Sequence, residues 1–255
     1  VDSYYGETIT LTPEEKRGYE WKVLNNGAVL DGGDDTVLTV EYTLKEYTVT
    51  VMGIYGDKKF EAAKQTFTYL TETFDVDVSG EATADGRHYR FVSSEQTLKV
   101  VKDTAEDVVF EAKYAIGVST PQEFMDAYVY NGTLDLYLEN DIDFAEYVKA
   151  NPWTSDTPYF VFDYKSFSGT LDGQGHRLTG LNRGINDDGS YTYNRHYGYF
   201  GNVAGTIKNI YIQSEVAINC GENGFNNGSI IQTLSGTLEN CVIDMTIHYD
   251  VDWGA

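Results

Sequence analysis

Five side chains suited to ligand recognition crowd into seven residues: Tyr191, Tyr193, Arg195, His196 and Tyr197, inside the stretch NRGINDDGSYTYNRHYGYF. Tyrosine rings stack on the apolar faces of sugars, while Arg, Asn and Asp hydrogen-bond hydroxyls. Such a set on a loop of a rigid scaffold reads as a glycan or protein contact surface. The competing reading is architectural, with the same tyrosines folding back over the flank of the body. A second set is Asp172, His176 and Arg177 in SGTLDGQGHRLTGL, with Asp187 and Asp188 farther along. It contains the ingredients of polysaccharide cleavage. A lyase needs an Arg or Lys base beside acidic calcium ligands. A hydrolase needs two carboxylates held at a defined separation across a groove.

The surroundings of the second set argue against a catalytic role. SGTLDGQGHRLTGL (168–181) aligns with AGTIKNIYIQSEV (204–216) and SGTLENCVIDMTI (235–247), anchored on Gly169, Gly205 and Gly236. Leu171, Ile207 and Leu238 share one place; Leu178, Ile212 and Ile243 share another; Asn209 and Asn240 coincide, as a stacked asparagine ladder at a corner requires. A repeat of this length with fixed aliphatic positions indicates a solenoid, each coil burying its face against its neighbours. The glycines then mark corners that need positive φ or close backbone approach. They do not form a phosphate loop, which needs a Gly-x-x-x-x-Gly-Lys-Ser/Thr run between strand and helix. In this alignment Asp172, Lys208 and Glu239 share a place, which gives alternating charge and no acidic cluster. His176 falls with Ile210 and Cys241 in an inward column and is expected to be a satisfied interior histidine. Asp172, followed by glycine, is expected to make a turn. No catalytic set is assigned.

DGGDD (31–35) and NDDGS (186–190) are acidic turns, but neither has the spacing of a calcium loop. Calcium is compatible with them; no cofactor and no metal site is expected. The two cysteines, Cys220 and Cys241, are too few for a disulfide framework, and Cys241 is expected to act as a small core hydrophobe.

The formal charge of −22 argues against the basic face that phosphate contacts need, so nucleic acid is not an expected partner. Tyrosine is abundant, at 21 of 255 residues, and with Val, Ile and Thr it favours strands, so the chain is expected to be all-β. No run of about 18 apolar residues is present, so no transmembrane segment is expected. The sequence opens at Val1 without an initiator methionine or signal peptide and closes on DVDWGA. It is therefore expected to be an excised or mature piece, truncated at the C-terminal end.

Three segments are expected. Residues 1–70 alternate apolar and polar in short strands, among them GYEWKVLNNGAVL, Leu38 with Val40, and Tyr47 with Val49 and Val51. Residues 71–117 add FDVDVSG, RHYRFVS, TLKVV and DVVFEAKYAI, a small β module that is a second sandwich or an extension of the first. Residues 118–255 open with STPQEFMDAYVYNG. Thr120 is the N-cap, Pro121 the first helical residue and Glu123 the third, with Phe124, Ala127 and Tyr128 on one face and Asn131-Gly132 closing the helix. A strand, TLDLYLENDIDF, follows with Leu134, Leu136 and Leu138 on one face.

Two resemblances follow from these residues. Trp21, the Leu38–Val40 pair and Tyr47-x-Val-x-Val resemble the core of bacterial immunoglobulin-like domains, in which a strand-C Trp packs under the sheet and a Tyr opens strand F. This chain lacks the cysteine pair and the Asp-x-x-x-Tyr corner of that family. The run TPQEF…LYLENDIDF…FSGTLDGQGHRLTGL…GYFGNVAGTIKNIYI…GTLENCVI resembles bacterial surface proteins carrying GLUG-type repeats. That likeness implies a helix-capped, right-handed parallel β-helix over 118–255. The long insertion 182–197 departs from it. The resemblance implies a secreted or surface-exposed, adhesin-like segment with a host or microbial glycan or surface protein as partner. The competing expectations are a β-helix polysaccharide lyase or glycoside hydrolase, and a purely structural stalk.

Overall fold

The computed structural model describes residues 4–33, 37–128, 132–151, 166–192, 199–219 and 230–250. Strands dominate, and the described residues contain two short helices. The class is mostly β. The chain divides into two compact units, one of residues 1–53, 60–80 and 94–112, the other of 54–59, 81–93 and 113–255.

The first unit is built from antiparallel pairs. Tyr19–Leu24 pairs with Thr39–Leu44 through Trp21↔Tyr42 and Val23↔Val40, and Phe74–Asp75 pairs with Lys99–Val100. Along Glu46–Tyr55 strict alternation buries Val49 and Val51 completely. Phe67, Val76 and Val100 complete the apolar centre, and Tyr47 packs its ring 5.8 Å from that of Phe67. Trp21 does not occupy the place expected under the sheet. It is 36% exposed beside a comparably exposed Tyr42, because the strand pair leaves that face in solvent.

The second unit contains the antiparallel strands Ala82–Ala84 and Arg87–Ser93, the latter pairing with 113–116 around an irregularity between Lys113 and Tyr114. The helix Pro121–Tyr128 follows. Thr120 Oγ1 accepts the Glu123 amide at 3.2 Å, so the Thr120 cap forms as expected, while the Glu123 carboxylate returns to the N–H of Ser119, one residue earlier than the cap, at 2.9 Å. Phe124, Met125, Ala127 and Tyr128 are buried. Asn131 lies outside the described residues. The strand expected from 133 to 144 is two strands, Leu136–Leu138 and Ile142–Asp143, interrupted where Asn140 bonds back to the Ser119 carbonyl. A second helix, Ala145–Ala150, had no expectation behind it.

From here the strands pair in parallel and in the register of the sequence repeat. One ladder runs Ile116↔Leu136↔Leu171↔Ile207↔Leu238, a second Ile142↔Leu178↔Ile212↔Ile243, and a third Phe167↔Val203↔Leu234. Leu136, Leu171, Ile207, Ile142, Leu178 and Ile212 are all 2% exposed or less. Each such side chain contributes about 1.5–3 kcal/mol by burial. The last rung is less covered: Leu238 is 37% and Ile243 44% exposed, and Cys241 is half-buried instead of fully interior.

The anchoring glycines are there for close approach. A Cβ at Gly205 would overlap the Gly169 carbonyl, and one at Gly236 the Gly205 carbonyl, so backbone rests on backbone down this column. The asparagine ladder also forms. Asn240 Nδ2 donates to Asn209 Oδ1 at 3.0 Å, and Asn209 Nδ2 donates to Asp172 Oδ1 at 3.1 Å. Both asparagines are left-handed, at φ +53° and +51°, a conformation asparagine tolerates better than other side chains.

Candidate functional site

The same ladders point alternate residues outward. Tyr137, Asp172, Lys208 and Glu239 share one column, because their registers coincide from rung to rung, and Tyr137 in it is covered, at 2% exposed. Beside it, Ala115 pairs with Arg90, bringing the strand Arg87–Ser93 alongside the column. Between them lies a groove of about 300 Å³, with Arg90, Phe91, Tyr137, Asp172, Gln174 and Lys208 on its walls.

The groove mixes an aromatic surface with polar groups of both signs. Phe91 is 37% exposed and sets its ring edge-on to Tyr114. The Arg90 guanidinium lies 4.2 Å from the centroid of the Tyr137 ring and donates to Gln174 Oε1 at 3.2 Å. Burial, together with the bond Tyr137 donates to Glu81 at 2.8 Å, pushes the Tyr137 hydroxyl well above its ordinary pKa. It is a permanent donor. Burial would raise the Asp172 carboxyl as well, but the Asn209 amide, the Gln174 N–H at 3.0 Å and the Lys208 ammonium at 3.4 Å outweigh it. The net position is below the usual carboxylate range. Asp135 is similarly engaged, its Oδ1 accepting the Thr170 N–H at 2.7 Å.

Next to the groove, two carboxylates converge on one imidazole. His88 Nδ1 is 2.8 Å from Glu139 Oε1 and 3.8 Å from Glu81 Oε2. Ser119 Oγ holds the other oxygen of Glu139, and Tyr137 and Arg90 hold the other oxygen of Glu81. Burial pushes the Glu139 carboxyl up, but the bonds from Ser119 and His88 more than reverse this and keep it low.

Of the residues singled out in the sequence, those that are described have partners within the protein. Tyr191 stacks on His248 with ring centroids 4.1 Å apart, and His248 Nε2 meets Glu215 Oε1 at 2.7 Å. One face of that tyrosine is therefore occupied from within the protein. Tyr193, Arg195, His196 and Tyr197 lie outside the described residues, as does Cys220. His176 is not interior: about a third of its side chain is exposed, and Nδ1 sits 3.2 Å from Asp141 Oδ1. It occupies the register position of Ile210, but at the turn before its strand, where the side chain reaches out to a neighbouring rung. Arg177 lies over the Tyr211 ring at 4.7 Å. Asp187 is exposed near Lys149, and Asp188 accepts both the N–H and hydroxyl of Ser190, closing its own turn and lowering its carboxyl.

Of the groove residues, only Asp172 was a candidate from sequence, and Lys208 appeared as its alignment partner. Extending the alignment one unit upward would have placed Tyr137 over Asp172. Arg90 and Phe91 reach the site through an antiparallel pairing that no repeat pattern announces.

No family model matches the chain, and no curated protein matches it. Among solved structures, a match is found to "Streptococcal High Identity Repeats in Tandem (SHIRT) domains 3-4 from cell surface protein". It is 18% identical and covers 46% of this chain and 81% of that one. The TM-score is 0.22. Among the described residues no helix is long and apolar enough to cross a membrane.

Proposed function

We propose that the chain is a non-enzymatic, adhesin-like binding segment of a bacterial surface protein. A right-handed parallel β-helix with GLUG-type repeats presents a ligand groove, and an immunoglobulin-like module acts as spacer. The parallel, in-register ladders with their glycine and asparagine columns support the β-helix part of this reading. The observation that carries the binding role is the groove wall: an exposed Phe91, an Arg90–Tyr137 stack, and polar groups fixed in place before any ligand arrives. Rigid aromatic area with pre-oriented hydrogen-bonding groups suits a glycan, whose sugar faces stack and whose hydroxyls bond.

The same wall favours binding over hydrolysis. A general acid must hold a proton near neutral pH, whereas Asp172 is held ionised by three partners. The test is a glycan-array screen of the chain, with and without calcium. A variant combining Arg90→Ala, Phe91→Ala and Lys208→Ala is screened beside it, after its unfolding transition has been checked. Binding by the wild type that is lost in the variant is the expected result. Unchanged binding by the variant removes the groove from the account, and turnover of an oligosaccharide would replace binding by catalysis.

A further inference from the structure

We infer that Glu81, His88 and Glu139 form a binding site for a zinc-class divalent transition ion. Each of the three described histidines meets a carboxylate, but His176 faces Asp141 and His248 faces Glu215, whereas His88 meets two. The three candidate ligand atoms lie within 4.8 Å of one another. In a tetrahedral zinc site with bonds of about 2.0–2.2 Å, neighbouring ligand atoms are about 3.3–3.6 Å apart. The 2.8 and 3.8 Å separations from His88 Nδ1 bracket that value. The His88–Glu139 pair must open by about 0.5 Å or more, with loss of the proton between them, to admit the ion.

The outer partners are what separate this trio from a chance surface cluster. Both carboxylates spend one oxygen on a fixed donor: Glu139 Oε2 on Ser119, Glu81 Oε1 on Tyr137 and Arg90. The remaining oxygen of each is turned toward the same imidazole nitrogen. This is how second-sphere donors orient carboxylate ligands. Two cations stand nearby and oppose binding. Arg90 is stacked on Tyr137, bonded to Gln174 and paired with the far oxygen of Glu81 at 3.3 Å, and Arg87 is engaged with the Gly117 carbonyl and Glu123. The ligands are partly exposed, at 37%, 48% and 22% of their side chains, which leaves further coordination positions to water. An imidazole nitrogen in the set selects zinc-class ions over calcium, which takes oxygen.

The experiment is a zinc chloride titration of the whole chain by calorimetry at pH 7.5. One equivalent is expected to bind. His88→Ala and Glu139→Gln are expected to weaken it at least about tenfold, and Ser119→Ala by about tenfold through the outer sphere. His248→Ala leaves it unchanged, and millimolar calcium does not displace the ion. Thermal unfolding in chelator establishes that each variant folds. The inference is overturned if the wild type binds no stoichiometric zinc, or if folded His88→Ala binds it as well as the wild type. It does not depend on the groove's ligand, and a failed glycan screen leaves it standing.

Discussion

Asp172 is the residue on which the column of Tyr137, Lys208 and Glu239 turns. Its carboxylate ties the Gln174 turn, the Asn209 corner and Lys208 together, and its pKa in the fold lies below the ordinary 3.8. A depressed carboxylate stabilises the fold above its unfolded pKa, and that contribution is lost as pH falls through the folded value. Asp172→Asn is therefore expected to cost on the order of 1 kcal/mol at pH 7, with the deficit against wild type shrinking below about pH 4. Urea unfolding of both proteins at pH 7 and pH 3 reads this directly; an equal deficit at both values would show the ionised form to be irrelevant. The residue was visible in the sequence as a turn former, and its alignment with Lys208 was read there as alternating charge. The contact itself was not legible, because it crosses between rungs. Trp21 was misread for a related reason: an isolated tryptophan in a strand says nothing about which face of the sheet is covered. Tyr191 was placed on the surface with two roles left open. Its stacking on His248 draws it toward the covering role.

At the scale of elements, the glycine and asparagine columns decide whether successive strands can stack. Gly205 sits where backbone meets backbone, so Gly205→Ala is expected to destabilise by roughly 1–3 kcal/mol, since a carbonyl cannot move aside as a flexible side chain can. Gly80→Ala, where an added Cβ meets open space, is the matched control and is expected to change stability by less than about 0.5 kcal/mol. Equal effects at the two positions, measured by chemical denaturation, would contradict the stacking role. Thr120→Ala tests the helix entry. Loss of its bond to the Glu123 amide is expected to cost about 1 kcal/mol, read from the same unfolding curves. These elements were legible because repeats and caps are local patterns: fixed aliphatic positions, small-Gly-Thr starts, Thr-Pro-x-Glu. The break between Leu136–Leu138 and Ile142–Asp143 was not. Continuous hydrophobic alternation hides a corner that Asn140 makes by bonding the Ser119 carbonyl, twenty-one residues away.

For the whole molecule, the sequence carried the mostly-β class and the existence of a stacked region, but not the location of the groove. That site needs Arg90 and Phe91, which precede the repeats and join them through an antiparallel strand. Repeat logic sees columns; it does not see what is laid beside them. The central claim is that this groove, and not the 182–197 insertion, holds the ligand. The most direct test takes the strongest hit of the glycan screen and measures its affinity by titration calorimetry against two folded variants. One is Arg90→Ala/Phe91→Ala in the groove, the other Tyr191→Ala/Tyr193→Ala/Tyr197→Ala in the insertion. The account predicts that the groove variant loses at least about tenfold, roughly 1.4 kcal/mol, while the insertion variant stays close to wild type. Loss in the insertion variant with the groove variant unaffected would contradict it.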